Sequence, residues 1–210
     1  NIIKIFDGIY DDNNSIVTLI PTGLRYGTVT LKFRTGLEIE VTTLRTDSTY
    51  SDGRRPDQVK FGNSLKDDLL RRDFTVNAMA IDISRKLFYD PFNGLEDINA
   101  KVIRAVGNPH TRLSEDGLRI LRAYRFAGNF REIWCIDSSL RNALEISINM
   151  LENVAKERIW YEFKKILNSK YAGEILLLMS EDKVLDMILH GKYLPKSRGI
   201  LSQFNSTIID

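Results

Sequence analysis

Apolar and polar residues alternate with a period of two along much of the first hundred residues. Runs rich in β-branched and aromatic residues, separated by glycine-containing turns, occupy residues 15–21, 26–33 and 37–44. A side-chain period of two is typical of strands with one buried face. The pattern therefore predicts three adjacent strands in this region and a further strand over residues 78–83.

The stretch that follows the third run has a different character. Residues 45–62 contain YSDGRRPD, favour turns and show no periodicity, so they are predicted to form a loop. Ser64, with Asp67 three residues later, is typical of a helix N-terminus. This pair predicts a helix over LKDDLLRR.

After Pro109 the apolar residues follow three- and four-residue intervals, which are typical of amphipathic helices. This spacing predicts helices over residues 114–128, 137–149, 156–168 and 171–190. We therefore expect an α+β protein, with a partial mixed or antiparallel sheet followed by helices. The predicted parts are 1–107, a helical part at 108–190, and a tail at 191–210 for which the sequence predicts no structure.

Composition and charge narrow the class of protein. With 210 residues, 43% of them hydrophobic, the chain is long enough to bury a core. The net charge is only +2, but residues 101–131 contain seven basic and two acidic residues, which favours a partner that carries phosphates. No membrane-spanning run or signal-peptide pattern occurs, so we expect a cytoplasmic protein without a membrane partner. The single cysteine, Cys135, excludes an internal disulfide and is expected in the core.

The region after Ser114 carries one candidate binding surface. Four charged residues recur at three-residue intervals and would share one surface of the predicted helix: Asp116, Arg119, Arg122 and Arg125. Aspartate accepts and arginine donates hydrogen bonds in planar geometries that match the Watson–Crick edge of a base, while further arginines would hold phosphates. The alternative is an exposed ion pair with solvated arginines, worth about 0.3–0.5 kcal/mol. Such spacing, taken alone, is more often structural.

A second candidate cluster lies in RRDFTVNAMA, residues 71–80. Its polar members are Arg71, Arg72, Asp73 and Asn77. Burying them in an apolar stretch is costly unless an anionic or hydrogen-bonding group, such as a nucleotide, lies between them. The alternative is structural, because basic residues complement the end of a helix, and aspartate or asparagine caps a following turn.

Glu38 and Glu40 form a candidate metal site on the third predicted strand. Alternate residues point to the same face of a strand, roughly 7 Å apart. Magnesium prefers carboxylate oxygens together with substrate phosphates. The alternative is a half-exposed strand with solvated acids.

Six motifs follow one another along the chain. They are PTGLRYGTVT, EVTTLRTDSTYSDGRRPDQVKF, SLKDDLLRRDFTVNAMA, DPFNGLEDINAKVIRAVGNP, RLSEDGLRILRAYRFA and KERIWYEF. In this order they resemble the class II (bacterial-type) tRNA nucleotidyltransferases, the CCA-adding enzymes of the polymerase β superfamily, over residues 17–168. The resemblance implies a polymerase β-like nucleotidyltransferase head followed by an all-helical neck and body. It also implies transfer of CMP and AMP from CTP and ATP to the 3′-hydroxyl of tRNA, with Mg²⁺ as cofactor and release of pyrophosphate.

The resemblance also implies roles for single residues. In such enzymes the RRDxT motif contacts the ribose and phosphates of the nucleotide, which corresponds to Arg71, Arg72 and Asp73. Asn77, two residues after this motif, is predicted to belong to the same nucleotide site. The EDxxR motif pairs with the base of CTP or ATP as a protein template, which corresponds to Asp116 and Arg119. Arg122 and Arg125 would continue this surface as phosphate contacts.

Further correspondences concern the head. Glu40, immediately before VTT, resembles the third catalytic carboxylate, a metal ligand. YSDGRRPD resembles the flexible loop needed for adding A, and DPFNG together with Gly107 resembles a hinge between head and neck.

The chain also departs from the family pattern. The GGxVRD turn and the DxD pair, which precede these motifs in the family, do not occur in it. The DxD carboxylates hold the two magnesium ions, and Glu40 cannot hold them alone. Since the first residue is Asn1 rather than Met, we expect these 210 residues to be part of a longer chain. Because they lack the DxD pair, we expect them to be inactive in transfer by themselves. Tyr26 stands where a histidine is usual, and Gly117 would cost about 1 kcal/mol relative to alanine inside the predicted helix.

Three alternatives stay open. A bacterial poly(A) polymerase, or an A-adding tRNA nucleotidyltransferase, shares the head and most motifs, and sequencing the products on a tRNA without CCA would separate it. A non-catalytic nucleotide- or RNA-binding remnant would bind ATP and CTP without releasing pyrophosphate. A half-enzyme would be completed by a separate chain that carries DxD.

Overall fold

A computed structural model of the chain describes residues 17–21, 24, 27–47, 59–62 and 64–189. Contacts between residues divide the chain into two compact units. The first comprises residues 1–48 and 58–68, and the second comprises residues 49–57 and 69–210. The division near residue 107 stays a prediction, and the predicted tail at 191–210 lies outside the described residues.

The first unit is built on an antiparallel sheet of three strands in chain order: β1 (Val17–Ile20), β2 (Thr28–Phe33) and β3 (Glu38–Thr42). The register places Leu31 between Leu19 and Ile39, so these apolar residues share one face. Val29 and Leu31 of β2 are buried. The prediction of three adjacent strands is confirmed.

Two short strands and the start of a helix follow in this unit. β4 (Arg45–Asp47) pairs antiparallel with β5 (Val59–Phe61), so the prediction of a loop over 45–62 is wrong at both ends. Strands of three residues are too short to show alternation in a sequence. Helix α1 (Leu65–Leu70) begins after Ser64, whose Oγ accepts the N–H of Asp67 at 3.2 Å, as the sequence predicts.

The second unit opens with small elements. A 3₁₀ turn (Thr75–Asn77) leads into a hairpin of β6 (Ala80–Asp82) and β7 (Leu87–Tyr89), followed by helix α2 (Gly94–Ala100) and strand β8 (Val102–Ile103). The spacing of apolar residues does not predict α2. Its start is fixed by Asp90, whose two carboxylate oxygens accept the N–H groups of Gly94 at 2.7 Å and Leu95 at 2.9 Å.

The rest of the second unit is mainly helical. Its elements are α3 (Pro109–Glu115), α4 (Arg119–Gly128), strand β9 (Cys135–Ile136), α5 (Ser138–Ser147), a 3₁₀ segment (Ile148–Asn153), α6 (Lys156–Leu167), α7 (Ala172–Glu181) and α8 (Val184–Ile188). Helix α4 lies at the centre of the core, where Ile120, Leu121 and Tyr124 are fully buried. Cys135 is exposed, so its prediction as a core residue is wrong. Strands and helices together confirm the α+β class.

Two of the predicted helices are broken. The range 114–128 holds the end of α3 and all of α4, because Asp116 has an extended backbone, φ −154° and ψ 107°. Its Oδ1 accepts the N–H of Leu118 at 3.0 Å, a local bond that competes with helix formation. Gly117 therefore lies in a link between helices, and the prediction of one continuous template helix is wrong. The range 171–190 breaks between α7 and α8, where Lys183 has a left-handed φ of 59°.

Among the residues that the structure describes, no helix combines the length and the apolar character needed to cross a membrane.

Candidate nucleotide-binding site

Asp73 is a buried carboxylate of the second unit that accepts several hydrogen bonds. Its side chain is 7% exposed, and its Oδ1 accepts the N–H of Phe74 at 2.9 Å and the amide of Asn77 at 3.0 Å. Its Oδ2 accepts Nε of Arg122 at 2.7 Å and lies 2.5 Å from Nη2 of the same residue. Arg122 thus reaches across 49 positions of sequence to the segment Arg71–Asp73, hereafter the RRD segment.

Burial by itself would raise the pKa of Asp73. The positive charge of Arg122 opposes this effect, as do hydrogen bonds from Asn77, Arg122 and the N–H of Phe74, and the net result is a pKa below the ordinary value. Asp73 is therefore a permanent carboxylate at neutral pH, and it orients the Arg122 guanidinium.

The two arginines of the RRD segment are placed differently. Arg72 is exposed, and its Nη1 donates to the carbonyl oxygen of Asn77 at 2.8 Å. The backbone carbonyl of Arg71 accepts a hydrogen bond from the guanidinium of Arg119. Asn77 closes the 3₁₀ turn that follows the segment, and no side chain caps the start of this turn at Phe74, so the capping that the sequence offered as the alternative is not found there.

Asp116 lies in the link Asp116–Leu118 between α3 and α4, hereafter the template link. Arg158 of α6 holds its carboxylate from the other side, with Nη2 2.8 Å from Oδ2 and Nη1 3.3 Å from Oδ1. Both side chains are mostly buried, so this two-point pair fixes the plane of the carboxylate.

Arg119 connects the template link to the RRD segment. Its Nη2 donates to the carbonyl oxygen of Arg71 at 2.9 Å, and its Nη1 donates to Glu115 Oε2 at 2.6 Å and to the carbonyl of Arg112 at 2.7 Å. Arg112 in turn bonds the carbonyl of Leu70 at 2.9 Å and pairs with Glu115 at 2.7 Å. Two segments far apart in sequence are thereby joined by backbone acceptors and charged donors.

Arg125 has a different environment. Its side chain is 12% exposed and pairs with Glu162, itself 4% exposed, at 2.5 Å, and its guanidinium lies 4.1 Å from the ring centroid of Phe126. The predicted role as a phosphate contact would compete with this buried pair. Arg122, which is 32% exposed, is the better placed of the two arginines.

The predicted carboxylates of the first unit lie on β3. Glu38 and Glu40 are opposite Lys32 and Thr30 in the register, and both are exposed. Lys32 pairs with Glu38 at 2.9 Å. Within the described residues, no group of three or more histidine, cysteine, aspartate or glutamate side chains is placed to hold a metal ion. Tyr26 and the YSDGRRPD segment (50–57) lie outside the described residues.

Sequence reasoning missed the residues that hold the site in place. They are Arg112, Glu115, Arg158 and Glu162. Spacing alone cannot identify Arg158 and Glu162, since the Asp116–Arg158 pair spans 42 positions and the Arg125–Glu162 pair spans 37. Arg112 and Glu115 have local spacing, because Glu115 pairs with Arg112 three positions before it and with Arg119 four positions after it. The available signal was the presence of Arg158 and Glu162 in KERIWYEF, a motif that the resemblance includes without a role for either residue.

Comparison with protein families gives two matches along the chain. Residues 10–104 match the poly A polymerase head domain, and residues 135–194 match the probable RNA and SrmB-binding site of polymerase A. Together these ranges cover well over half of the chain.

Individual relatives agree with these matches. The chain is 47% identical over 148 residues to the CCA-adding enzyme of Pediococcus pentosaceus, which covers 70% of this chain and 36% of that enzyme. It is similar to the crystal structure of the Bacillus stearothermophilus CCA-adding enzyme in complex with CTP, with a TM-score of 0.74, 31% identity, and coverage of 91% of this chain and 44% of that one. A tRNA nucleotidyltransferase complexed with a primer tRNA and an incoming ATP analog matches with a TM-score of 0.70 and 33% identity, over 87% of this chain and 50% of that one.

The chain thus spans between about a third and a half of the length of these relatives. The similarity to solved structures confirms the fold class, a nucleotidyltransferase head with a helical neck and body. With the motifs and the two family matches, it shows that the chain belongs to the CCA-adding enzyme family of tRNA nucleotidyltransferases.

Proposed function

We propose that this chain is the nucleotide-binding and base-selecting part of a CCA-adding tRNA nucleotidyltransferase. It binds CTP and ATP in preference to GTP and UTP. In the complete enzyme, CMP and AMP are transferred to the 3′-hydroxyl of tRNA with release of pyrophosphate. The family to which the chain belongs is generally dependent on divalent metal ions.

One observation carries the proposal: Arg119 Nη2 donates to the carbonyl of Arg71 at 2.9 Å, and Arg122 Nε donates to Asp73 at 2.7 Å. These bonds bring the segment proposed for ribose and phosphates next to the segment proposed for the base. A nucleotide needs both kinds of contact within its own length.

The chemistry of the template link suits cytosine and adenine. Both bases present an amino donor beside a ring-nitrogen acceptor on the Watson–Crick edge, whereas guanine and uracil present a carbonyl in place of that amino group. Asp116 would accept from the amino group, and Arg119 would donate to the ring nitrogen. The N–H of Leu118 and the two bonds from Arg158 occupy three of the about four acceptor sites of an ionised carboxylate, which leaves one on Oδ2 for this purpose.

The phosphates are assigned to arginines. The Arg122 side chain is 32% exposed and Arg72 is exposed, and arginine matches phosphate in a two-point geometry. Arg71 and Arg125 are further candidates, with Arg125 the least accessible because of Glu162.

Metal binding is proposed only for the complete enzyme. Glu40 would serve as the third carboxylate for Mg²⁺, together with a DxD pair that this sequence does not contain. The described residues hold no group that could bind the ion by itself. No transfer step is therefore assigned to this chain alone, and its cytoplasmic location stays a prediction.

Two solved structures support the choice of ligands. The Bacillus stearothermophilus enzyme was crystallised with CTP, and a second relative with a primer tRNA and an ATP analog. Both are similar to this chain over more than four fifths of its length.

Calorimetric titration of the four nucleoside triphosphates and of inorganic triphosphate into the 210-residue protein tests the proposal. Asp116→Ala and Arg119→Ala should each reduce the preference for CTP and ATP by about tenfold, because each removes a charge-assisted hydrogen bond to the base. Affinity for inorganic triphosphate should change far less. Arg131→Ala, an exposed arginine of the same basic stretch, is the matched control. An unchanged preference for CTP and ATP in both variants would contradict the assignment of Asp116 and Arg119 to base recognition.

A poly(A) polymerase is the second candidate, because both family matches carry that name. It predicts binding of ATP with no comparable binding of CTP. In a complete enzyme, sequencing of products on a tRNA without CCA separates the two functions.

A further inference from the structure

Gly117 is packed more closely than any side chain would permit. A Cβ added to it would lie 2.8 Å from the carbonyl oxygen of Met150, 3.1 Å from its carbonyl carbon and 3.2 Å from its Cβ. The first two are backbone atoms, which cannot turn aside as the end of a flexible side chain can. The absence of a side chain at Gly117 therefore lets the 3₁₀ segment Ile148–Asn153 rest directly on the template link.

Any movement of Gly117 is transmitted to Asp116. The carboxylate of Asp116 accepts the N–H of Leu118 at 3.0 Å, so Gly117 is enclosed in a small hydrogen-bonded loop. The carbonyls of Asp116 and Gly117 also accept the first bonds of α4, from Arg119 at 3.0 Å and Ile120 at 3.1 Å. The link cannot move away from Met150 without turning the Asp116 side chain.

Movement of Met150 would also disturb the pair of Asp116 and Arg158. The 3₁₀ segment passes through Val154 into α6, and Arg158 lies only eight positions after Met150. Val154 is tied back to the segment by its N–H bond to the carbonyl of Leu151 at 3.1 Å. Displacing Met150 would therefore shift Arg158 against Asp116.

We propose that Gly117 is a specificity-determining positioning residue, whose lack of a side chain sets the orientation of the Asp116–Arg158 pair for reading the base. The inference rests on the proposed function, because it concerns the same base-selecting site. Gly117 itself touches no part of the nucleotide and acts through Asp116.

The test compares Gly117→Ala with Gly62→Ala in the 210-residue protein. Gly62 is the matched control, because an added Cβ there would meet nothing within 4 Å. Titrations with CTP, ATP, GTP, UTP and inorganic triphosphate are run on each variant, and circular dichroism records folding. Gly117→Ala should lower the preference for CTP and ATP by about tenfold, with affinity for inorganic triphosphate within about twofold of wild type. Gly62→Ala should match wild type throughout.

A double-mutant cycle separates positioning from general loss of stability. If Gly117 acts through the Asp116–Arg158 pair, Gly117→Ala should cause little further loss of preference in an Arg158→Met background. Full additivity of the two losses would overturn the inference, and so would an unfolded Gly117→Ala protein or an unchanged preference for CTP and ATP. A wild-type protein without any preference would instead overturn the proposed function, and this inference with it.

Discussion

Charged side chains are held in different ways in the two units. In the second unit, Asp73 is almost fully buried and accepts hydrogen bonds from a backbone N–H, Asn77 and Arg122. In the first unit, Glu40 is exposed on β3, and the nearby pair of Lys32 and Glu38 has about half of each side chain exposed. The groups that we propose for nucleotide recognition are thus held in place without a ligand, so that ordering them would add little to the cost of binding. Glu40, which we propose as a metal ligand of the complete enzyme, is exposed and so would be accessible to a metal held together with other ligands.

The largest effect is expected from truncating the buried carboxylate. Asp73→Ala should lower the free energy of unfolding by about 3–5 kcal/mol, because it removes the ion-pair partner of Arg122 and leaves the buried N–H of Phe74 without its acceptor. Urea denaturation followed by circular dichroism measures this loss. Glu40→Ala is the control and should leave the unfolding midpoint unchanged. Equal losses in the two variants would remove the contrast between the units.

A smaller effect should separate the roles of two arginines on α4. Arg125→Met is expected to cost about 2–3 kcal/mol of stability, because Glu162 stays buried and, among the described residues, keeps Lys165 at 3.8 Å as its ion-pair partner. Arg122→Met should weaken binding of inorganic triphosphate more than Arg125→Met does. Calorimetric titration of both variants provides the comparison. A larger loss of triphosphate binding in Arg125→Met than in Arg122→Met would favour Arg125 as the main phosphate contact.

The smallest expected effect is on the dependence of folding stability on pH. The pKa of Asp73 is lowered in the folded state, so its stabilising contribution is complete above the unfolded value of about 4 and is lost as the pH falls through the folded pKa. The pKa of Asp137 is lowered too, because burial, which would raise it, is outweighed by Ser139, Arg104 and two backbone N–H groups. Stability should therefore fall below about pH 4. Asp73→Asn should flatten this dependence in urea titrations between pH 3 and 7, whereas Glu40→Gln should leave it as in wild type.

The sequence was informative where periodicity extends over several turns or residue pairs. Three strands of the first sheet and helices α5 and α6 lie within the predicted ranges. Helix α2 escaped prediction because it is seven residues long and its start depends on Asp90, four positions before the helix. The break at Asp116 escaped because an aspartate within an apolar period looks helical, while its side chain bonds the chain two residues on.

The candidate site, like the fold, could be predicted only in part from the sequence. The residues for base and phosphate were named by motif, whereas the structure adds the groups that hold them, such as Arg158 against Asp116 and Glu115 against Arg119. Glu115 lies only four positions before Arg119, so spacing along the sequence could have suggested that pair. Arg158 belongs to an element that meets Asp116 only after folding, so no local pattern could pair these two residues. Gly117 illustrates the point, since its close approach to Met150 depends on a segment more than thirty positions away.

The central claim is that the RRD segment and the template link form one nucleotide site within the second unit. Hydrogen–deuterium exchange of the 210-residue protein with and without CTP, read by mass spectrometry, tests it most directly. Slower exchange with CTP is predicted in both segments, from Arg71 to Asn77 and from Asp116 to Arg122, with no change in β3. Slowing confined to one of the two segments, or found in β3 instead, would contradict the account.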